Sequence, residues 1–447
     1  MSSLAPLTVV VGAGVSGLAC VRYLRRKSQP VVLVDTRVEP PGAARLAQDF
    51  PGLQTYFGAL PPEVFQRAER IVLSPGLAID SLPEVRAAET RGVPVIGEMA
   101  LFAEAVNVPV AAITGTNGKS TATVMAGHVL RELGMRVGVG GNLGTPALDL
   151  LELDADAHVL ELSSFQLERA GDFVADVGTV LNVAADHLDR YASLEEYAAT
   201  KRRIYAGTRC AVYNRRDART RPEIAAQMVS FGNDEPRDAS EWGLRRAAGS
   251  LWLCRGEEHL LDASRLPVRG AHNYENALAA LIIAERMGAD PRAAAECLVG
   301  CEGLPHRCEM VGQIAGVDAI NDSKATNPGA CIAALEGLDP DGQGNIVLIA
   351  GGRGKGFDYA CLREPVAEHV RSVVLIGEEA DALEATLQDV VEVRRAHDLC
   401  AAAGVAFALA RSGDCVLLSP ACASFDQFEN FEARGDSFRR AVQCLTR

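Results

Sequence analysis

The residues best suited to phosphate chemistry lie in one short run, Gly115-Thr116-Asn117-Gly118-Lys119-Ser120-Thr121. Its two glycines let backbone N–H groups converge on phosphate oxygens, and a helix opening at Lys119 adds its N-terminal dipole. At this offset Lys119 reaches the β- and γ-phosphates of ATP and the Ser120 hydroxyl ligates Mg²⁺. The common form of the loop carries a further glycine where this chain has Ile113, so this is a short form. Glu161 ends the apolar run Ala157–Leu162 and is the residue type that holds Mg²⁺ beside such a loop. A second polar cluster, Asp186-His187-Leu188-Asp189, follows the apolar run Val177–Val183.

Other groups frame further ligand regions. Gly12-Ala13-Gly14-Val15-Ser16-Gly17 is a G-x-G-x-x-G turn, and Asp35 lies about 20 residues beyond it, a spacing that places an acid on a ribose. NAD, NADP, FAD and a nucleotide sugar all fit that pattern. Arg37, just past Asp35 and Thr36, favours a diphosphate ligand, and Gly76 opens the end of a neighbouring strand. Gly140–Gly144 carries Asn142, and Gly351–Gly356 carries Arg353 and Lys355. The dense polar run Asn321–Pro328 holds Asp322, Lys324 and Thr326, and Ser419–Asp426 holds Ser424 and Phe425. Lys201-Arg202-Arg203 lies on a helix and, on composition alone, reads as a solvated basic face.

These groups need rigid elements behind them. Short apolar runs at Leu7–Val11, Val31–Val34, Ile71–Ser74 and Val93–Ile96, separated by helical stretches, predict a first strand–helix domain ending near Gly97. The strand Val110–Ile113, the glycine loop and its helix begin a second. Residues 211–262 alternate as short strands, and a long alanine-rich helix follows from His272, with Asn273 as its cap and Asn276 in its first turn. A boundary near Leu304-Pro305 opens a third strand–helix alternation.

Composition agrees with this α/β reading. The chain has 447 residues, enough for about three domains of ordinary size. Apolar residues make up 48% and aromatics 5%, as in Ala/Val/Leu-rich sheets covered by helices. The net charge of −14 argues against nucleic-acid or anionic-membrane partners, so anionic substrates need local cations. Twelve cysteines without a C-x-x-C pair read as small buried residues of a reduced cytoplasmic protein. The N-terminal apolar stretch lacks a signal peptide's basic start, and no run approaches a membrane span.

The segments GTNGKST, ELSSFQLE, DHLDRY, HNYEN, LPHR, NDSKATN, GGRGKG and SPACASFDQFENF together resemble the Mur ligases of peptidoglycan synthesis, across almost the whole chain. The resemblance implies three domains: a Rossmann-like UDP-sugar domain at 1–97, a central P-loop ATPase domain at 98–303 and a Rossmann-like amino-acid domain at 304–447. The middle one would have a parallel sheet and a small extra β-sheet. It implies an ATP-dependent amide ligase of cell-wall and cell-division metabolism, a cytoplasmic monomer using two Mg²⁺ ions. The DTR triplet and the last motif point to addition of D-glutamate to UDP-N-acetylmuramoyl-L-alanine. By resemblance, Lys119, Glu161, His187 and a carbamylated Lys201 are catalytic, and Ser120, Glu161, His187 and Lys201 hold metal. Gly115–Thr121 with Asn276, Arg307 and Asp322 would bind ATP. Ser16, Asp35, Thr36, Arg37, Gly76, Asn142 and His187 would bind the UDP-sugar, and Lys324, Thr326, Lys355, Ser424, Phe425 and Phe431 the amino acid. A sister ligase for another amino acid, a folyl-polyglutamate-type ligase, a nicotinamide oxidoreductase and a nucleotide-sensing module remain alternatives. The last two leave Lys119 with Glu161, or the C-terminal glycine turn, without a use.

Overall fold

In the computed structural model, which describes residues 7–187, 190–268, 270–339 and 342–445, buried apolar strands form three sheets. The first contains β1 (Leu7–Val11), β2 (Val31–Asp35), β3 (Thr55–Phe57), β4 (Ala68–Leu73) and β5 (Val95–Ile96), all parallel in the order β3-β2-β1-β4-β5. Because β2 and β4 flank β1, the glycine turn, Asp35–Arg37 and Ser74–Gly76 emerge at one edge, where open parallel sheets bind ligands. The turn must be tight: a Cβ on Gly17 would lie 1.8 Å from the Gly12 carbonyl oxygen.

The middle sheet has nine strands: β6 (Val110–Thr114), β7 (Val137–Gly141), β8 (Ala157–Glu161), β9 (Val177–Val180), β10 (Cys210–Asn214), β11 (Gln227–Phe231), β12 (Glu241–Ala247), β13 (Ser250–Arg255) and β14 (Glu258–Asp262). Its order is β14-β13-β12-β11-β10-β9-β6-β8-β7, parallel as far as β12. The short strands expected as a separate small sheet are instead an antiparallel extension of this one, joined where Ser230 and Phe231 pair with Glu241 and Trp242. Central β6 lies between β8 and β9, so the phosphate loop, Glu161 and the segment after Val180 leave the sheet side by side.

Two helices hold the loop from behind. Lys119–Glu132 starts at Gly118, and Ala271–Arg286 buries Ala277–Ala284 completely against it. Gly118 has φ +80°, and a Cβ there would meet Asn276 Oδ1 at 2.3 Å, so this junction requires glycine. Asn273 does not cap the second helix. Gly270, at φ +98°, begins it, and Asn273 is buried in its first turn.

The third sheet contains β15 (Glu309–Ile314), β16 (Val317–Asn321), β17 (Ile346–Gly351), β18 (Val370–Ile376), β19 (Glu392–Arg395) and β20 (Cys415–Leu418), in the order β15-β16-β20-β17-β18-β19. Only β15 runs antiparallel. The runs after β16, β17 and β20 therefore converge: Asp322–Asn327, Gly352–Gly356 and Ser419–Ser424. One apolar cluster joins the first sheet's helix Val15–Arg26, the helix Glu98–Ala103 and the β8 side of the middle sheet. All twelve thiols are free, but the expectation that they are buried holds only in part: Cys361, Cys400 and Cys444 are exposed.

Candidate active site

The phosphate loop is braced from the segment after β9. Asn182 Oδ1 accepts the Asn117 N–H at 2.9 Å, and its Nδ2 donates to the Asn117 carbonyl at 3.1 Å. Its own carbonyl accepts the Thr116 N–H at 2.9 Å. A short-form loop has fewer residues to shape itself, and this side-chain clamp supplies what is missing. Lys119 Nζ curls back onto the Gly115 and Thr116 carbonyls, each at 2.8 Å, and burial lowers its pKa.

Ser120, Glu161, Asn142 and Arg307 form one chain. Ser120 Oγ donates to Glu161 Oε2 at 2.5 Å, and Asn142 Nδ2 donates to Oε1 at 2.8 Å. Arg307 Nη2 reaches across from the third sheet to Ser120 Oγ at 2.7 Å. Burial works against ionising Glu161, but Lys119 and the two hydrogen bonds outweigh it and hold the acid below its usual range. An ionised carboxylate beside a hydroxyl and a phosphate loop is a hard-oxygen set that fits Mg²⁺. His187 lines the same cavity, kept neutral by burial, with its backbone at φ +55° and its N–H on Asp186 Oδ1 at 2.9 Å. Of the four residues expected to hold metal, Ser120 and Glu161 share a hydrogen bond, and Lys201 lies near enough to Glu161 and His187 to act on them electrostatically. No group of three His, Cys, Asp or Glu residues is poised for an ion among the described residues, and only Ser120 and Glu161 touch.

Lys201 is not a solvated helix residue. On the helix Leu194–Arg202 it is 1% exposed, with Nζ on the Gly115 carbonyl at 2.8 Å and 4.4 Å from the Tyr197 ring centroid. Burial, then the charge of Lys119, drives its pKa well below the usual lysine value. Its neighbours do behave as surface cations: Arg202 pairs with Glu195, and exposed Arg203 donates to the Glu168 carbonyl.

A cavity of about 280 Å³ brings Thr116–Thr121, Asn142, Glu161, His187 and Asn276 together with Arg307, Asp322, Lys324, Thr326 and Lys355. The middle and third sheets meet here through Arg307–Ser120, Asn327 Nδ2 on Asn117 Oδ1 at 3.1 Å, and Lys355 Nζ on Asp186 Oδ1 at 3.3 Å. Arg307, expected to bind ATP, puts its guanidinium on the Ser120 hydroxyl at the phosphate loop. Asp322 is pinned by Ser419 Oγ at 2.8 Å and pushed up to about 7 by burial. Lys324 Nζ sits 3.7 Å from the Phe431 ring centroid and is lowered to about 8 by burial.

Several expected residues lie off this cavity. Ser424 is buried, and Phe425 is 62% exposed and turned to solvent. Ser16, Asp35, Thr36, Arg37 and Gly76 form a separate rim on the first sheet. Asp35 is no free ribose acceptor: its carboxylate takes the Ala13 N–H at 2.7 Å and a two-point contact from Arg37 at 2.9 and 2.7 Å. Two contributors, Asn182 and Arg434, carried no local signal, and the partner of Asp186 carried none. Asn182 and Asp186 act through partners far along the chain. Arg434, 1% exposed, donates to Ser323 and to the Cys422 and Ala423 carbonyls, tying the cavity-lining Asp322–Asn327 run to the Ser419–Ser424 run behind it. Leu188 and Asp189 of the DHLDRY segment fall outside the described residues.

Comparison with known proteins gives the same picture in sequence. Family descriptions match in chain order: Mur ligase MurD-like N-terminal domain over 7–97, Mur ligase middle domain over 113–284, and Mur ligase glutamate ligase domain over 306–422. A UDP-N-acetylmuramoylalanine–D-glutamate ligase of Legionella pneumophila (strain Lens) is 45% identical over 445 residues, covering 98% of this chain and 99% of its own. The chain belongs to the Mur ligase family. A protein of the same name from Pseudomonas aeruginosa is 47% identical over 439 residues, with 98% of each chain covered. The Mur ligase fold is also seen in solved structures of lower identity. A pseudomurein peptide ligase type C from Methanothermus fervidus has a TM-score of 0.64 at 18% identity, covering 98% of this chain and 100% of that one. The UDP-N-acetylmuramate-alanine ligase MurC from Thermotoga maritima has a TM-score of 0.64 at 20% identity, covering 99% and 100%.

Proposed function

We propose that this Mur ligase couples ATP hydrolysis to addition of D-glutamate to UDP-N-acetylmuramoyl-L-alanine, a cytoplasmic step in peptidoglycan precursor synthesis. The observation that carries the reading is the cavity itself, where a phosphate loop with an ionised acid faces two lysines from another sheet. The full-length relatives named for this reaction support it.

The alanyl carboxylate attacks the γ-phosphorus of ATP, its P–O bond to ADP breaks, and an acyl phosphate forms. Both reactants are anions, so charge neutralisation and in-line placement do most of the work. Lys119 and Arg307 supply cations on either side of Ser120. Ser120 and Glu161, with His187 nearby, would hold Mg²⁺, which would supply positive charge against the phosphates. The D-glutamate amine then attacks the acyl carbon, loses a proton, and the tetrahedral adduct expels phosphate to leave the amide. Lys324 and Lys355 are placed to hold the two carboxylates of glutamate, with Thr326 beside them. The separate rim around Ser16, Thr36, Arg37 and Gly76 takes the uridine diphosphate, which leaves Asn142 to meet the sugar end inside the cavity.

Lys201 carries a carbamate in the working enzyme. Its buried amine, with lowered pKa, has the neutral lone pair that adds to CO₂ with loss of a proton. The product replaces an ammonium beside the metal site with two hard oxygens. Phosphate release across a panel of amino acids and UDP-muramoyl acceptors tests the whole reading. Release should need D-glutamate and the L-alanyl acceptor together; equal release with L-glutamate or L-alanine defeats it.

A further inference from the structure

The reaction above makes no use of Glu98. It follows the Gly97 turn, opens the helix Glu98–Ala103 and is 3% exposed, where an acid is seldom found without a partner. Oε1 accepts the Leu148 N–H at 3.4 Å, in the first turn of the helix Ala147–Leu150. The Ser16 hydroxyl lies against the same carboxyl, yet buried Oε2 has no hydrogen-bond partner.

The two elements that meet at this acid both belong to the expected UDP-sugar site. Ser16 is half-buried in the first turn of the helix behind the N-terminal glycine turn, with protein on one side and the open turn on the other. The helix Ala147–Leu150 closes the Asn142 loop, whose Gly141 N–H donates to the Thr145 carbonyl at 2.8 Å. Arg22–Asp149 and Arg26–Glu152 ion pairs already lock these helices together on a more exposed side. A buried acid is therefore not needed as a fastener.

The direction of hydrogen bonding decides what it does. A carboxylate would take the Ser16 proton and leave only oxygen lone pairs facing an anionic diphosphate. A carboxylic acid does the reverse, and its orphan oxygen is the natural donor. We infer that Glu98 is a positioning residue for the nucleotide-sugar diphosphate: as a neutral acid it donates from Oε2 to Ser16 Oγ, which turns the Ser16 hydroxyl proton toward a diphosphate oxygen. This rests on assigning the N-terminal turn to the UDP-sugar.

The surroundings raise the share of the neutral form. Burial pushes Glu98 up to about 7, and Asp149 acts in the same direction, against the Ser16, Leu148 and Ala147 contacts. On the Val15–Arg26 helix, the facing groups are the Cys20 thiol, itself raised by burial and then by Glu98, and Arg22, which is spent on Asp149. On the third side, Arg169 gives its carbonyl to the Gly97 N–H and its guanidinium to Glu168 at 3.6 Å. No cation is among the main influences on the Glu98 carboxyl.

Calorimetry of the full chain with UDP-N-acetylmuramoyl-L-alanine, beside steady-state KM values for ATP, tests the assignment. Glu98→Ala and Ser16→Ala should each weaken sugar-nucleotide binding about tenfold, the scale of one lost hydrogen bond to a charged group. The double variant should be no weaker than either single one. Glu98→Gln, whose amide restores a donor, should bind within about twofold of the parent, and the KM for ATP should stay unchanged throughout. Additive losses, a Glu98→Gln variant as weak as Glu98→Ala, or an equal rise in the KM for ATP would overturn the inference. If Glu98→Ala does not fold, Glu98→Gln and Ser16→Ala decide it. If the parent binds no sugar nucleotide, the assignment of the turn fails first and takes Glu98 with it.

Discussion

Replacing Lys201 separates a carbamate from a buried ammonium that merely braces the phosphate loop. Lys201→Met removes the nitrogen but keeps an unbranched stem in the same space. The loss in stability is one charged hydrogen bond, to the Gly115 carbonyl at 2.8 Å, worth at most about 1.5–3 kcal/mol. Relief from holding an ammonium at 1% exposure offsets part of that, leaving a net cost under about 1.5 kcal/mol. Lys201→Ala also strips three methylenes, at about 0.8 kcal/mol each, and leaves a cavity, so it should cost about 3 kcal/mol. Turnover should fall on the order of 10²–10³ in both, the scale for losing one preorganised charged group. The assay is phosphate release at saturating substrates in bicarbonate buffer, with urea unfolding run in parallel. Added formate or acetate should restore part of the Lys201→Ala activity by filling the vacated space, and should not help Lys201→Met, where the side chain fills it. Near-parental turnover of Lys201→Met, or no rescue of a folded Lys201→Ala protein, would refute the reasoning.

Three further outcomes follow. Lys119→Ala should lose turnover on the order of 10²–10³ in a protein that stays folded, read by phosphate release and calorimetry, with a melting temperature lowered by the loss of its charged hydrogen bonds to two loop carbonyls. Lys355→Met should raise the KM for D-glutamate at least about tenfold and leave the KM for ATP alone, the loss of one charged contact. Glu275 is pushed from 4.5 up to about 7 by burial, so the folded state holds a proton there that the unfolded chain has released. That raised pKa costs stability as pH climbs from about 4.5 to about 7; Glu275→Gln should therefore gain melting temperature over the parent at pH 8 relative to pH 5.

The phosphate loop was legible because everything defining it is local: apolar strand, two glycines, Lys-Ser and helix follow one another without interruption. The C-terminal lysines were legible for the same reason, since each sits in a polar run that an ordinary strand end does not carry. Lys201 was not. Its three-residue basic run looks solvated, and only contact with Gly115, 86 positions away, shows that the first cation is buried while Arg202 and Arg203 are not. Asn182 was silent because it belongs to no motif whose spacing announces a role, and Asp186, though it stands in a polar cluster, gave no sign of its contact with Lys355, 169 positions away. The cap at Asn273 failed on backbone geometry: Gly270 reaches φ +98° and begins the helix three residues earlier. Asp35 sits at the ribose spacing, but that spacing does not reveal that its oxygens are already committed to Ala13 and Arg37.

With Lys355 as the proposed amino-acid cation, its contact with Asp186 gives amino-acid entry the thermodynamics of ion exchange. An arriving carboxylate does not meet a bare cation; it competes with one already neutralised, and gains only the difference between two similar attractions. An amino acid with a single carboxylate recovers little from that trade. Glutamate carries a second carboxylate that can engage Lys324 while the first displaces Asp186, so valence does the selecting before shape does. Added salt weakens both sides of the exchange together. Discrimination between one and two carboxylates should thus persist at ionic strengths that weaken binding of either.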